Sequence, residues 1–195
     1  MPCLKIAHRG AAGTRPELTQ PAFARALELG VDMIELDVHL TRDQRLVVLH
    51  DSALGRTVQG EGAVRDHTLA ELCALDAGSW FALEYAGTCV PSLDEVLELT
   101  EGRAALNIEI KSAAPDWDVT AQVLTELLTE KGRLDSTIVS SFDMGALRAM
   151  RERSPKARLG VLWHNADLDP MWLLAEGLDA RSIHPLWSLI DAAVV

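Results

Sequence analysis

Cysteine is scarce in this chain: Cys3, Cys73 and Cys89 are its only three. An odd number without metal-type spacing argues against a disulfide framework or a zinc site and points to reduced packing residues. Basic runs are missing too. At a formal net charge of -11 the chain is a poor partner for DNA or RNA, whose binding is driven by clustered Lys and Arg releasing counterions. No apolar run approaches the ~20 residues of a membrane span, and residues 1–6 lack the charged and long apolar regions of a signal peptide. The expectation is a soluble, cytoplasmic protein with no membrane span. Low-complexity sequence is also absent. With 195 residues, 48% of them hydrophobic, one domain with one substantial core is the default.

Periodicity sets the scaffold. Residues 4–8 read as a strand, followed by a Gly/Pro-rich loop and a helix over 19–29, with Thr19 as a cap, Pro21 in the first turn and Gly30 as a stop. A strand over 33–39 completes a βαβ unit. Residues 45–50 are again strand-like, but the link of residues 40–44 is too short for a parallel crossover. A hairpin turning at residues 42–45 is predicted, bringing His50 opposite Asp37. Residues 51–90 are weakly periodic and glycine-rich, which suggests an insertion capping one side of a cleft. Regular alternation then resumes, with Ser92 and Glu95 forming a capping box for a helix to residue 99. Strands over 104–111, 137–141, 158–163 and 180–184 alternate with helices over 117–131, 143–153 and 169–176.

Six core strands are therefore expected, around Ile6, Ile34, Ile108, Ile138, Val161 and Ile183, in an α/β fold with a parallel sheet. Length alone favours an open doubly wound sheet, because a closed barrel of eight strands typically takes about 250 residues. The chemistry-bearing residues favour the barrel. They gather at the C-terminal ends of successive strands: His8 and Arg9, Glu35 and Asp37, Glu109 and Lys111.

In the run Met33-Ile34-Glu35-Leu36-Asp37-Val38, strand alternation puts Glu35 and Asp37 on one face and the aliphatic residues on the other. Two buried carboxylates side by side need a cation, although a strand end where both acids reach water is an open alternative. Asn107, Glu109 and Lys111 repeat the pattern. Three carboxylates from two strands suit a hard divalent cation, Mg²⁺ or Ca²⁺. His8 and His50 are the natural proton carriers near neutral pH, and Arg9 and Lys111 would face an anionic substrate. The combination points to a phosphate ester.

The ordered series His8-Arg9-Gly10, Pro16-Glu17, Ala22-Phe23, Glu35-Leu36-Asp37-Val38, Thr41 with Asp43, His50-Asp51 and Asn107-Ile108-Glu109-Ile110-Lys111 resembles the signature of glycerophosphodiester phosphodiesterases. Order and spacing agree over residues 4–112, with weaker matches at residues 76–80, 91–93 and 140–142. The resemblance implies a distorted TIM (β/α)₈ barrel with a small insertion, hydrolysing glycerophosphodiesters to sn-glycerol 3-phosphate and an alcohol. It further implies that Glu35, Asp37 and Glu109 hold Mg²⁺ or Ca²⁺, that His8 and His50 act as general acid and base, and that Arg9 and Lys111 contact phosphate. Glu17 reads either as a group orienting His8 or Arg9 or as a solvated loop acid. Nothing in the sequence marks a particular alcohol head group or oligomeric state.

Leu18 stands where the family pattern has Asn, and Gln44 where a turn glycine is usual. The pattern also continues beyond residues 182–184 with about two more strands, so the expectation is a longer natural chain or a second source of the last strands. Two other readings remain: a related phosphodiesterase acting on phospholipid head groups, and a catalytically silent, phosphate-binding barrel.

Overall fold

The computed structural model describes residues 3–111 and 116–190. The chain runs through β1 (Ile6–His8), α1 (Gln20–Glu28), β2 (Met33–Leu40), β3 (Leu46–Val48), α2 (Leu69–Cys73), α3 (Leu93–Leu99), β4 (Ala105–Ile110), α4 (Trp117–Glu130), β5 (Thr137–Ser141), α5 (Met144–Arg153), β6 (Arg158–Trp163), α6 (Asp169–Gly177) and β7 (Ser182–Pro185). Six strands pair in parallel in the order β1-β2-β4-β5-β6-β7, and β3 lies antiparallel on β2. Helices connect successive parallel strands, so the fold is α/β: among the described residues, six strands of a (β/α) barrel with β1 and β7 outermost. Among the described residues no helix is long and apolar enough to cross a membrane.

Alternation along β2 and β4 separates core from site. Ile34, Leu36, Val38, Leu106, Ile108 and Ile110 are buried in one apolar cluster with Leu97 of α3, Leu124 and Leu128 of α4 and Leu147 of α5. Each such fully buried aliphatic side chain contributes roughly 1.5–3 kcal/mol of transfer free energy. The opposite face carries Glu35, Asp37, Asn107 and Glu109, all buried.

The helix signals act as expected with one exception. Ser92 and Glu95 form the capping box, Ser92 Oγ accepting from Glu95 N–H (3.3 Å) and Glu95 Oε2 accepting from Ser92 N–H (2.8 Å). Thr19 occupies the N-cap position of α1, but its hydroxyl donates to Pro16 C=O (2.6 Å) and caps nothing. The short α2 carries a second capping box, Thr68 with Glu71. Its sequence signature is the same as that of residues 92–95, but weak periodicity around it masked the helix.

β2 has two partners along one edge. Its first half pairs with β1, ending at His8 opposite Glu35, and its last three residues pair with β3, starting at Val38 opposite Val48. The hairpin is centred on Asp43, half a residue earlier than expected. Leu49 therefore faces Asp37, donating its N–H to Asp37 C=O (3.1 Å), and His50 lies one position beyond.

Residues 51–90 pack around their own apolar cluster, Val58, Val64, Leu72, Ala77 and Val90, joined to the barrel through Val47 and Leu49. The Asp76 carboxylate organises the segment by accepting from the N–H groups of Gly78 (3.0 Å), Ser79 (2.7 Å) and Gly87.

Candidate active site

The first loop begins at the end of β1 under backbone constraint. A Cβ on Gly10 would stand 2.9 Å from the Ala22 carbonyl carbon, so only glycine lets the loop lie against α1. Arg9 and Leu18 both take the left-handed conformation, φ 56° and 57°, and Leu18 N–H closes the loop onto Arg9 C=O (3.1 Å). Such backbone is costly for non-glycine residues and persists where surrounding contacts over-determine it. Here it directs the Arg9 N–H to Glu35 Oε2 (3.0 Å). Leu18, where the resemblance leads one to expect Asn, is buried in the main core.

Glu35, Asp37 and Glu109 converge. One oxygen from each carboxylate lies within 4.8 Å of the others, and all three residues are buried, Asp37 being only 1% exposed. Burial, and then the charge of Asp37, push the carboxyl groups of both Glu35 and Glu109 well above the ordinary carboxylate range. The cationic compensation is limited. Lys111 Nζ lies 2.8 Å from Glu109 Oε1 and 3.2 Å from Asp37 Oδ1, and Arg9 Nε lies 3.6 Å from Asp37 Oδ2. Among the described residues Asp37 Oδ2 has no hydrogen-bond partner despite being buried. A compact, all-oxygen, electron-rich cluster with an orphaned carboxylate oxygen fits a hard divalent cation, which favours oxygen ligands.

Two imidazoles flank this cluster. His8 Nε2 lies 3.8 Å from Glu35 Oε2, and partial desolvation together with the Arg9 charge holds its pKa below the ordinary value. His50 donates from Nδ1 to Asp51 Oδ1 (2.7 Å), which leaves Nε2 as its free ring atom. The buried His39 donates from Nε2 to the His50 carbonyl (3.0 Å), fixing the backbone from which His50 projects. His50 and Lys111 line a common cleft of about 510 Å³ with Arg56.

Glu17 is the remaining residue singled out in the sequence. Its Oε1 accepts from Arg9 Nη1 (3.0 Å) and from Arg56 Nη2 (2.7 Å), and it makes no hydrogen bond to His8. Although burial opposes it, the Arg56 hydrogen bond and the Arg9 charge keep the Glu17 carboxyl below its ordinary pKa. Every residue expected at the site thus lies at one end of the sheet. Sequence reasoning missed Arg56 and the support from His39. Arg56 sits in an aperiodic stretch with nothing in its spacing to mark it, whereas alternation does put His39 on the face of Glu35 and Asp37, as a candidate for a metal or substrate role, but says nothing of its bond to the His50 carbonyl.

Comparison with known proteins gives a consistent answer. The family described as the glycerophosphoryl diester phosphodiesterase family matches residues 8–194. A glycerophosphodiester phosphodiesterase of Caldanaerobacter subterraneus subsp. tengcongensis is 42% identical over 188 residues, covering 96% of this chain and 77% of that protein. One from Bacillus altitudinis is 38% identical over 182 residues, 92% of this chain and 74% of the relative. Among solved structures, an Oleispira antarctica phosphodiesterase in complex with the product sn-glycerol-3-phosphate superimposes with a TM-score of 0.88 at 33% identity, covering 95% of this chain and 76% of that one. A glycerophosphodiester phosphodiesterase from Agrobacterium tumefaciens gives 0.81 at 34% identity, over 94% and 76% respectively.

Proposed function

This chain belongs to the glycerophosphoryl diester phosphodiesterase family, and on that premise we propose that it hydrolyses small-molecule glycerophosphodiesters to sn-glycerol 3-phosphate and an alcohol. The observation that carries the reading is the buried convergence of Glu35, Asp37 and Glu109 beside two histidines and two cations. Glu35, Asp37 and Glu109 would hold a divalent cation, Mg²⁺ or Ca²⁺, which when bound polarises phosphoryl oxygens and neutralises their charge.

The chain's own groups divide the remaining work. Arg9, with a planar guanidinium, and Lys111, a mobile point charge, bind the phosphodiester oxygens and oppose the negative charge that grows on them. His50, with Nδ1–H committed to Asp51, presents Nε2 to accept a proton from the attacking water or glycerol hydroxyl. As the bond from phosphorus to the leaving oxygen breaks, the imidazolium form of His8 delivers a proton to that oxygen, so the alcohol departs neutral; because burial and the Arg9 charge lower the His8 pKa, this form is the minor one near neutral pH. Where water attacks, the proton gained at His50 returns to His8 through solvent; where the glycerol hydroxyl attacks, the first step leaves a cyclic phosphate, which water opens as His8 takes the water's proton and His50 returns its own to the glycerol oxygen, so both routes end at glycerol 3-phosphate with the site restored. A cytoplasmic setting fits the three free cysteines.

The test is release of glycerol 3-phosphate from glycerophosphocholine and glycerophosphoethanolamine, with Mg²⁺ or Ca²⁺ supplied. Release from either substrate supports the reading. No release with either cation refutes it and favours a silent, phosphate-binding barrel.

A further inference from the structure

Arg56 belongs to the irregular stretch after β3 and matches none of the roles assigned above, yet its guanidinium spans two carboxylates. Nη2 donates to Glu17 Oε1 (2.7 Å) and to Asp51 Oδ1 (3.2 Å), and Nε donates to Asp51 Oδ2. Each carboxylate has a second partner. Asp51 accepts from His50 Nδ1, and Glu17 accepts from Arg9 Nη1. We propose that Arg56 is a positioning residue that aligns both the proton carrier His50 and the phosphate-binding Arg9, tying the 51–90 insertion to the first loop. The proposal rests on the phosphodiesterase reading for the roles of His50 and Arg9.

The chemistry of the side chain explains why arginine stands there. A guanidinium offers five N–H donors in a rigid plane and can bond two carboxylates in different directions, whereas an ammonium is a compact point charge on a flexible stem. The backbone holding Arg56 is itself fixed. Gly55 N–H turns back onto Val58 C=O (2.9 Å), Leu54 N–H bonds Gly62 C=O (3.0 Å), and Val58 is buried in the cluster of the insertion. A rooted loop therefore presents a planar fork to two acids, one from the first loop and one beside His50. Without the fork, Asp51 would be free to turn away from Nδ1, and His50 would lose the bond that selects its tautomer. Glu17 would likewise rotate, and Arg9 would lose its outer anchor. The Arg56 side chain is 46% exposed, so these ion pairs add little to global stability. An effect of its removal on turnover would consequently not be an effect of unfolding.

Arg56→Met and Arg56→Lys, made in the full chain, separate positioning from bulk structure. With glycerophosphocholine as substrate, Arg56→Met is expected to lower kcat/KM by roughly 10–100-fold, the cost typical of losing an outer hydrogen-bond partner of a site residue. The loss divides between kcat, through His50, and KM, through Arg9, while Tm stays near the wild-type value. Arg56→Lys folds equally well and recovers only a minor part, because one ammonium cannot hold both acids. A second measurement needs no turnover: side-chain ¹⁵N NMR of the substrate-free protein should show His50 as the Nδ1–H tautomer in the wild type and as a mixture in both variants. Unchanged kcat and KM with an unchanged His50 spectrum would overturn the proposal. A wild type that releases no glycerol 3-phosphate would defeat the phosphodiesterase reading alone, and the NMR comparison would still decide whether Arg56 controls His50.

Discussion

Asp37 and Glu109 are paired residues of the parallel strands β2 and β4, and the Lys111 ammonium sits between them at 3.2 and 2.8 Å. Adjacent strands thus deliver two carboxylates to one point, and Glu35, two residues back on β2, supplies the third. One lysine and a more distant arginine leave this group short of positive charge.

The consequence for pH can be derived with its sign. Burial and mutual repulsion raise the folded-state pKa of Glu35 and Glu109, so near neutral pH the metal-free native state binds more protons than the unfolded chain. Its stability from this source falls as pH rises above the ordinary carboxylate range. A divalent cation bound at this cluster would displace those protons, so its affinity should strengthen by up to about tenfold per pH unit for each proton released between about pH 6 and 8. Titration calorimetry in buffers of different ionisation enthalpy measures the release; binding that is independent of pH and buffer would contradict it.

His8→Ala and His50→Ala should each reduce turnover by about 10²–10⁴-fold, the usual contribution of a positioned acid or base. Neither should lower Tm appreciably, because His8 is exposed on the edge strand and His50 lies at a cleft wall. Turnover within a few-fold of wild type in either variant would remove that residue from the mechanism.

The strands that carry these residues were legible because strand alternation is a strict rule. Once residues 33–38 are read as a strand, Glu35 and Asp37 must share a face, and the same holds for Asn107 and Glu109. The hairpin was legible from its short link, but its register was not. Whether the turn centres on Asp43 or half a residue later depends on turn hydrogen bonds, Thr41 N–H to Arg45 C=O and Gln44 N–H to Thr41 C=O, which leave no periodic trace. Arg56 was illegible for a related reason. Its partners lie 5 and 39 residues away in irregular segments, brought together by the packing of residues 51–90 around their own apolar cluster.

Backbone strain gives a contrast between two positions. Gln44 is exposed at φ 55° and Leu18 is buried at φ 57°. Gln44→Gly should stabilise the fold by up to about 1 kcal/mol by relieving a left-handed residue whose side chain is exposed. Leu18→Gly relieves the same strain but deletes a core side chain, with a net loss of roughly 1–3 kcal/mol. Denaturant unfolding of the two variants checks the opposite signs; a destabilised Gln44→Gly would show that the turn is held by the glutamine side chain.

Asp51 provides an acid-limb prediction. Hydrogen bonds from Arg56 and then His50 hold its carboxyl at about 2, below its ordinary value of 3.8. A depressed folded-state pKa contributes stability that is complete above the unfolded value and drains away as pH falls through the folded one. Tm should therefore drop only slightly more steeply between about pH 4 and 2 in the wild type than in Asp51→Asn, because solvent screening keeps these partly exposed contacts weak. Parallel acid limbs would mean that the Arg56, Asp51 and His50 contacts add nothing to the folded state.

The central claim is that Glu35, Asp37 and Glu109 hold the divalent cation on which hydrolysis depends. The most direct measurement is glycerol 3-phosphate release from glycerophosphocholine by the wild type and by Asp37→Asn, after EDTA treatment and again after adding back Mg²⁺ or Ca²⁺. The wild type should lose activity in EDTA and regain it with one of the cations, while Asp37→Asn stays inactive at the cation concentration that restores the wild type. Release that survives EDTA, or an Asp37→Asn variant restored as fully as the wild type, would contradict the claim.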